Sequence, residues 1–156
     1  MMMPPAWSSA AEERVAIERA SDAACVSSRA RVFARAAGLD VRTQWAAAIA
    51  ASELSTNVVK FGLPGTLTLR LCLGPPLALE IEATDRGPGF ADPGHALQDG
   101  VSEGLNLVTR DPRLTLPRGL GLGLGAVQRL TDQLTIRPRP GGGSIVVARV
   151  LLRPPC

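Results

Sequence analysis

Tyrosine is absent from this chain, histidine and lysine occur once each, and three Phe and two Trp are its only aromatics. With aromatics at 3%, the core has to be built from Ala, Leu, Val and Ile. A single histidine, His95, excludes a multi-histidine metal centre and argues against Ser-His hydrolysis. Beside Gly94 it reads as a loop residue. The three cysteines, Cys25, Cys72 and Cys156, have neither CxxC nor metal-type spacing. Reduced thiols and a cytoplasmic location are therefore expected. No apolar run reaches the ~18 residues that a membrane helix needs. The segment Met1 to Ser9 has no basic region followed by an apolar one, so no secretion signal is expected.

A length of 156 residues suits one domain, and 46% hydrophobic with 20% charged residues fits a globular chain. A domain of this size buries enough surface to need no metal or disulfide staple. The net charge is +3 and the pI about 9.2, carried by arginine at every basic position except Lys60. These arginines are scattered, without the clustered stripe of a nucleic-acid footprint.

Residues 1–10 read as a flexible tail and 11–153 as a single domain. Val15 and Ile17 alternate with polar neighbours, which predicts an edge strand over 12–20. An Ala-rich stretch from Ser21 or Asp22 to Gly38 predicts a helix, and a second runs from Asp40 to about Phe61, stopped by Gly62 and Pro64. Gly65–Leu73 and Leu77–Thr84 alternate as strands, joined at Gly74-Pro75-Pro76 as a hairpin. Residues 86–118 lose periodicity, as a lid would. A third helix opens at Gly119–Gly125 and runs to about Thr131. Leu134 and Ile136, then Ile145, Val147 and Val150, mark two last strands around the glycines 141–143. This order predicts an α+β architecture, an α/β sandwich, with a mixed sheet of about five strands covered on one face by three helices.

Three segments can carry chemistry. Glu53, Asn57 and Lys60 are spaced by four and three residues, which puts them on one stripe of the second helix. The adjacent stripe, Leu54, Val58 and Phe61, is apolar and expected in the core. An amide oxygen can bind Mg²⁺, a carboxylate can take a proton from an attacking hydroxyl, and an ammonium can neutralise phosphate. A solvated polar helix face is the structural alternative. The second segment, Asp85-Arg86-Gly87-Pro88-Gly89, follows directly on a strand. Its glycines allow close backbone approach, and its Asp can accept a hydrogen bond from an exocyclic amine such as that of adenine. An ordinary Asp-x-Gly turn would look the same. The third, Gly119-Leu-Gly-Leu-Gly-Leu-Gly125, opens a helix and can present free N–H groups to phosphate. A flexible connector is the alternative there.

Other phosphate motifs fail. Walker A needs a lysine in the glycine-rich loop, and Lys60 is elsewhere. Gly121-x-Gly123-x-x-Ala126 has the spacing of a dinucleotide fingerprint, but Pro112 and Pro117 interrupt the strand it would require. The His-Arg-Asp and Asp-Phe-Gly signatures of eukaryotic-type kinases are missing.

In this order and spacing the three segments resemble the N, G1 and G2 boxes of the GHKL (Bergerat-fold) ATPases, over about residues 12–152. Within that superfamily the chain is most similar to the RsbT-type switch kinases of the stressosome. The likeness is carried by Ser52–Lys60, Ile81–Phe90, Ala96-Leu-Gln-Asp-Gly-Val-Ser102 and Gly119–Leu130 with Thr131-Asp132. The resemblance implies that Asn57 holds Mg²⁺ on the ATP phosphates, Glu53 is the general base and Lys60 lies near the phosphates. It also implies that Asp85 binds the adenine amine, that Gly87 and Gly89 shape its pocket, and that Gly119, Gly121 and Gly123 line the triphosphate. Ser144 matches a position usually held by Thr that supports the Asp through water. ATP and Mg²⁺ are the expected cofactors, with an ATP lid over about 87–118. The segment Leu105–Leu116 is longer than such lids usually are. Either Arg110, Arg113 or Arg118 reaches the γ-phosphate, or the insertion is simply solvated.

The implied function is phosphorylation of a serine or threonine on a STAS-domain antagonist or scaffold protein, with activation of a PP2C-type phosphatase as a further role. The alternative is an anti-sigma factor that holds a sigma factor, with ATP as a conformational ligand. A degenerate fold that no longer binds nucleotide is a third reading. A homodimer is a further expectation, and neither nucleic acid nor membrane is expected as a partner.

Overall fold

The computed structural model describes residues 11–87 and 123–153, and the backbone of 101–102 and 105–106. The tail, most of the lid and the last three residues lie outside this set. The elements run β1 (Glu12–Ile17), α1 (Ala20–Ala23), α2 (Val26–Ala36), α3 (Val41–Phe61), β2 (Gly65–Cys72) and β3 (Ala78–Asp85). They continue with β4 (Val101–Ser102), β5 (Leu105–Asn106), α4 (Gly123–Leu130), β6 (Gln133–Pro138) and β7 (Ser144–Leu151).

Local chemistry sets the helix ends. The single helix expected from Ser21 is two pieces. The Asp22 carboxylate accepts the N–H groups of Glu18 and Arg19, both at 2.9 Å, and anchors a separate first turn. Those two N–H groups hold its carboxyl below the usual range. Gly38 and Leu39 close α2, donating their N–H groups to the carbonyls of Arg35 and Ala34 in a Schellman pattern. Asp40 then caps α3 by accepting the Thr43 N–H at 2.7 Å. Between its ends α3 presents Ala47, Ala50 and Ala51, all fully buried, with Leu54 and Val58 one turn and two turns on. Small side chains let this helix lie close against the sheet. Phe61 is a correction to the expected apolar stripe: at the last helical position it is 39% exposed.

Five strands form one open sheet in the order β1-β2-β3-β7-β6. Every pairing in it is antiparallel, where a mixed sheet was expected. The connection from β3 through α4 to β6 does return the chain in the parallel sense. However, the hairpin strand β7 occupies the place between those two, so no parallel neighbours result. α3 packs on the sheet, α2 and α4 pack on α3, and α4 also meets β6. The core side of the sheet carries Val15 and Ile17, Leu67, Leu69 and Leu71, Leu79, Ile81 and Ala83, and Val146, Ala148 and Val150. Full burial of a Leu or Ile stabilises by about 1.5–3 kcal/mol, so this layer dominates folding. Among the described residues no helix is long and apolar enough to cross a membrane.

The opposite face is polar. The register aligns Glu12, Arg70, Glu80 and Arg149 in one row across β1, β2, β3 and β7. Arg70 binds Glu12 at 2.8 Å and also Glu80, and Arg149 binds Glu80 at 2.8 Å. Glu80 is 6% exposed. Burial alone would raise its carboxyl, but the hydrogen bonds and charge of Arg149 and Arg70 outweigh it and hold Glu80 below the usual range.

A carboxylate lowered by folding stabilises above its unfolded value of about 4.3, and that contribution is lost as pH falls through the lower folded value. The melting temperature should therefore drop on acidification below about pH 4, and Glu80→Gln should flatten that drop. Melting curves from neutral pH downwards, recorded for both proteins, check this. Parallel pH dependences would assign the acid sensitivity to other carboxylates.

Candidate nucleotide site

Asp85 is the last residue of β3 and is 9% exposed. Its carboxylate is held from two directions. Oδ1 accepts the N–H of Gly87 at 2.9 Å and that of Ser144 at 3.2 Å, while Oδ2 accepts the Ser144 hydroxyl at 2.5 Å. The resemblance placed Ser144 behind a water; in the structure it touches Asp85 directly. These donors fix the carboxylate's orientation. A carboxylate oxygen has room for more than one donor, so the group can still accept from an amine.

Two glycines that sequence reasoning took only as chain breakers make this arrangement possible. Gly62 caps α3, and a Cβ there would fall 2.5 Å from Asp85 Oδ1. Gly143 ends the β6–β7 turn with φ +99°, and a Cβ would strike the Asp85 carbonyl. The Arg86 N–H donates to the Gly62 carbonyl at 3.0 Å, which ties the end of α3 to the end of β3. Only the glycine clusters themselves hinted at this in the sequence.

The α3 residues Glu53, Asn57 and Lys60 follow one helical row, and the helix itself ends at Gly62 beside Asp85. Glu53 is 4% exposed, and Asn57 and Lys60 are half-buried. At 1.5 Å rise per residue, Glu53 lies about 13 Å along the helix from Gly62, and Lys60 about 3 Å. Along the axis the row therefore spans about 10 Å, with Lys60 nearest the helix end that meets Asp85. α3 also packs against α4, whose first residue, Gly123, is buried with φ +60°. Glu53, Asn57, Lys60, Asp85, Gly87, Gly123 and Ser144 therefore belong to α3, α4 and the strand ends that border them. Gly89, Arg118, Gly119 and Gly121, with Arg110 and Arg113, lie outside the described residues.

The donor set fits a hard cation only in part-shares. Among the described residues no cluster of three His, Cys, Asp or Glu could cage a metal. A single amide oxygen, that of Asn57, suits Mg²⁺, which keeps several waters and is commonly held by one or two protein oxygens together with substrate phosphates. At the ends of β2 and β3 a cavity of about 260 Å³ is lined by Thr66, Thr84, Asp85, Arg86 and Arg139, among others. Glu53, Asn57 and Lys60 do not line it.

Compared with known proteins, residues 18–149 match the family described as the histidine kinase-like ATPase domain. No curated protein matches the chain. Among solved structures it is similar to the histidine kinase domain of the blue-light activated histidine kinase from Erythrobacter litoralis EL346, with 18% identity and a TM-score of 0.45. That likeness covers 85% of this chain, which spans 60% of the other.

Removing the Ser144 hydroxyl leaves a buried carboxylate oxygen without its donor. Ser144→Ala should lower stability by about 1.5–3 kcal/mol, and Ser144→Thr should restore most of it. Urea unfolding midpoints of the three proteins check this. An unchanged midpoint in Ser144→Ala would mean that water replaces the hydroxyl without loss.

Proposed function

The chain belongs to the histidine kinase-like ATPase domain family, and from that premise we propose that it is an ATP-dependent serine/threonine protein kinase of a partner-switching pathway. Membership implies ATP binding. The observation that carries the finer reading is the row of carboxylate, amide and ammonium on α3, the helix whose C-terminal end meets Asp85. One end suits recognition of a base and the other suits a hydroxyl nucleophile.

In this reading the adenine amine donates to Asp85, already oriented by Ser144 and the Gly87 N–H. Lys60 and the N–H groups at the start of α4 face the phosphates. Asn57 would hold Mg²⁺, which supplies neutralisation of phosphate charge. Glu53, one helical turn before Asn57, accepts the proton of a substrate serine or threonine hydroxyl as its oxygen attacks the γ-phosphorus. The bond to the bridging oxygen breaks and ADP leaves. Phosphoryl transfer asks mainly for positioning and charge neutralisation, which a site of this size can supply. A hydroxyl on a STAS-domain protein is the proposed substrate, and a PP2C-type phosphatase a further partner. Both rest on the resemblance of Ser52–Lys60 and Ala96–Ser102 to switch kinases.

The burial of Glu53 favours a second reading. A carboxylate that is 4% exposed can serve helix packing instead of proton transfer. The chain would then act as an ATP-responsive binding module that sequesters a sigma factor or another regulator.

The two readings separate on Glu53→Gln. For a kinase, labelled phosphate transfer from ATP to a STAS-domain protein should fall by about 10²–10⁴-fold, the usual worth of a general base. ATP should still raise the melting temperature of this variant. Asn57→Ala should abolish transfer as well. Transfer at the wild-type rate in Glu53→Gln removes the assigned base, and a partner held equally by both forms supports sequestration.

A further inference from the structure

The cavity at the ends of β2 and β3 is lined by groups that the candidate nucleotide site does not use. Of that site's described residues only Asp85 borders it. Its floor is a row across three strands. The register sets Ala16 of β1 beside Thr66 of β2, and Thr66 beside Thr84 of β3. Thr66 and Thr84 alternate with buried Leu67 and Ala83, so both hydroxyl-bearing side chains point away from the helix-covered face. With only a methyl group at Ala16, the row leaves room above it.

The walls carry charge. Arg86 follows β3 directly, and Arg139 enters from the turn between β6 and β7. That turn is pressed onto the end of β3: Gly143 lies against the Asp85 carbonyl, and the Arg139 N–H donates to the Gly143 carbonyl at 3.0 Å. The Arg139 guanidinium donates to the Gly142 carbonyl at 3.1 Å, which steadies the group and leaves its other donors free. Arg14, Arg29, Arg70 and Arg149 each bind a carboxylate. Among the described residues Arg86 and Arg139 bind none, and the hydroxyls of Thr66 and Thr84 have no hydrogen-bond partner. Strand alternation turns the Asp85 carboxylate the other way, beside Gly62 and onto Ser144. Glu18 therefore supplies the negative charge of the lining.

We propose that this cavity is a binding site for a single tetrahedral oxyanion, either a phosphate ion or the phosphate group of a small monoester. The two guanidiniums donate to its oxygens from the walls, and the two threonine hydroxyls donate from the floor. Guanidinium–phosphate contacts are charge-assisted and can be bidentate. A volume of about 260 Å³ is several times the ~30 Å³ share of one water, and lies below the roughly 300–1,000 Å³ of pockets for drug-sized ligands. One phosphate group with a short ester fits that space, and a whole nucleotide does not. Glu18 opposes any second negative group, which disfavours polyphosphates.

Backbone amide chemical shifts of the isotope-labelled full chain test this, with sodium phosphate titrated in parallel with sodium chloride at equal ionic strength. Phosphate should give saturable shifts at Thr66, Thr84, Arg86 and Arg139, and chloride should give none. Arg86→Gln and Arg139→Gln should each weaken binding about tenfold or more, the worth of a charge-assisted hydrogen bond. Glu18→Gln removes the opposing charge and should tighten binding about threefold, which a merely structural Glu18 would not do. Shifts elsewhere in each variant's spectrum should match the wild type and so verify its fold. Glycerol phosphate, titrated in the same way, separates the two sources. Saturable binding of either compound supports the site, and the tighter of the two identifies the ligand. Shifts confined to α3 and the start of α4 would put the anion at the nucleotide site and overturn the proposal. So would shifts that chloride reproduces, or an affinity that either arginine substitution leaves unchanged.

Discussion

The fixed carboxylate of Asp85 is the constraint around which the described part of this molecule is arranged. It accepts a backbone N–H from Gly87, two residues on, and a backbone N–H and the hydroxyl from Ser144, far away in sequence. For that to happen the end of β3, the end of α3 and the turn into β7 must meet with almost no side-chain volume between them. Gly62 and Gly143 supply that absence of volume. The result is a buried, oriented acceptor whose position depends on the ends of β3 and α3 and on the turn into β7.

The two faces of the sheet divide the labour. The core face is aliphatic and meets α3 through alanines, which sets how closely the helix lies and hence where Glu53, Asn57 and Lys60 stand relative to Asp85. The polar face holds charge in a row, with Glu80 kept ionised by two arginines despite its burial. The helix-covered face thus carries the candidate site residues, and the polar face contributes to stability.

Much of this was legible in the sequence. Alternation in β2, β3 and around Leu134–Val150 gave the strands, because one face of each is buried and the other is not. Asp40 and Gly62 marked the ends of α3 through their capping chemistry. The break between α1 and α2 was hidden, since Ala-rich sequence favours helix throughout and the contact that interrupts it belongs to Asp22 folding back on the chain. The antiparallel order was hidden too, because nothing local states that β7 inserts between β3 and β6. At the site, Asp85 and the α3 row stood out by spacing, and Ser144 by resemblance. Gly62 and Gly143 read as chain breakers, because a glycine's packing role appears only once its neighbour in space is known.

The central claim is that Asp85 receives the adenine amine while the α3 row attends the phosphates. A crystal structure with a non-hydrolysable ATP analogue and Mg²⁺ tests it most directly. The account predicts the exocyclic nitrogen of the base within about 3 Å of an Asp85 carboxylate oxygen, with the phosphates running along α3 towards Asn57. A base bound away from Asp85, or a triphosphate lying on the other face of the sheet, would contradict it.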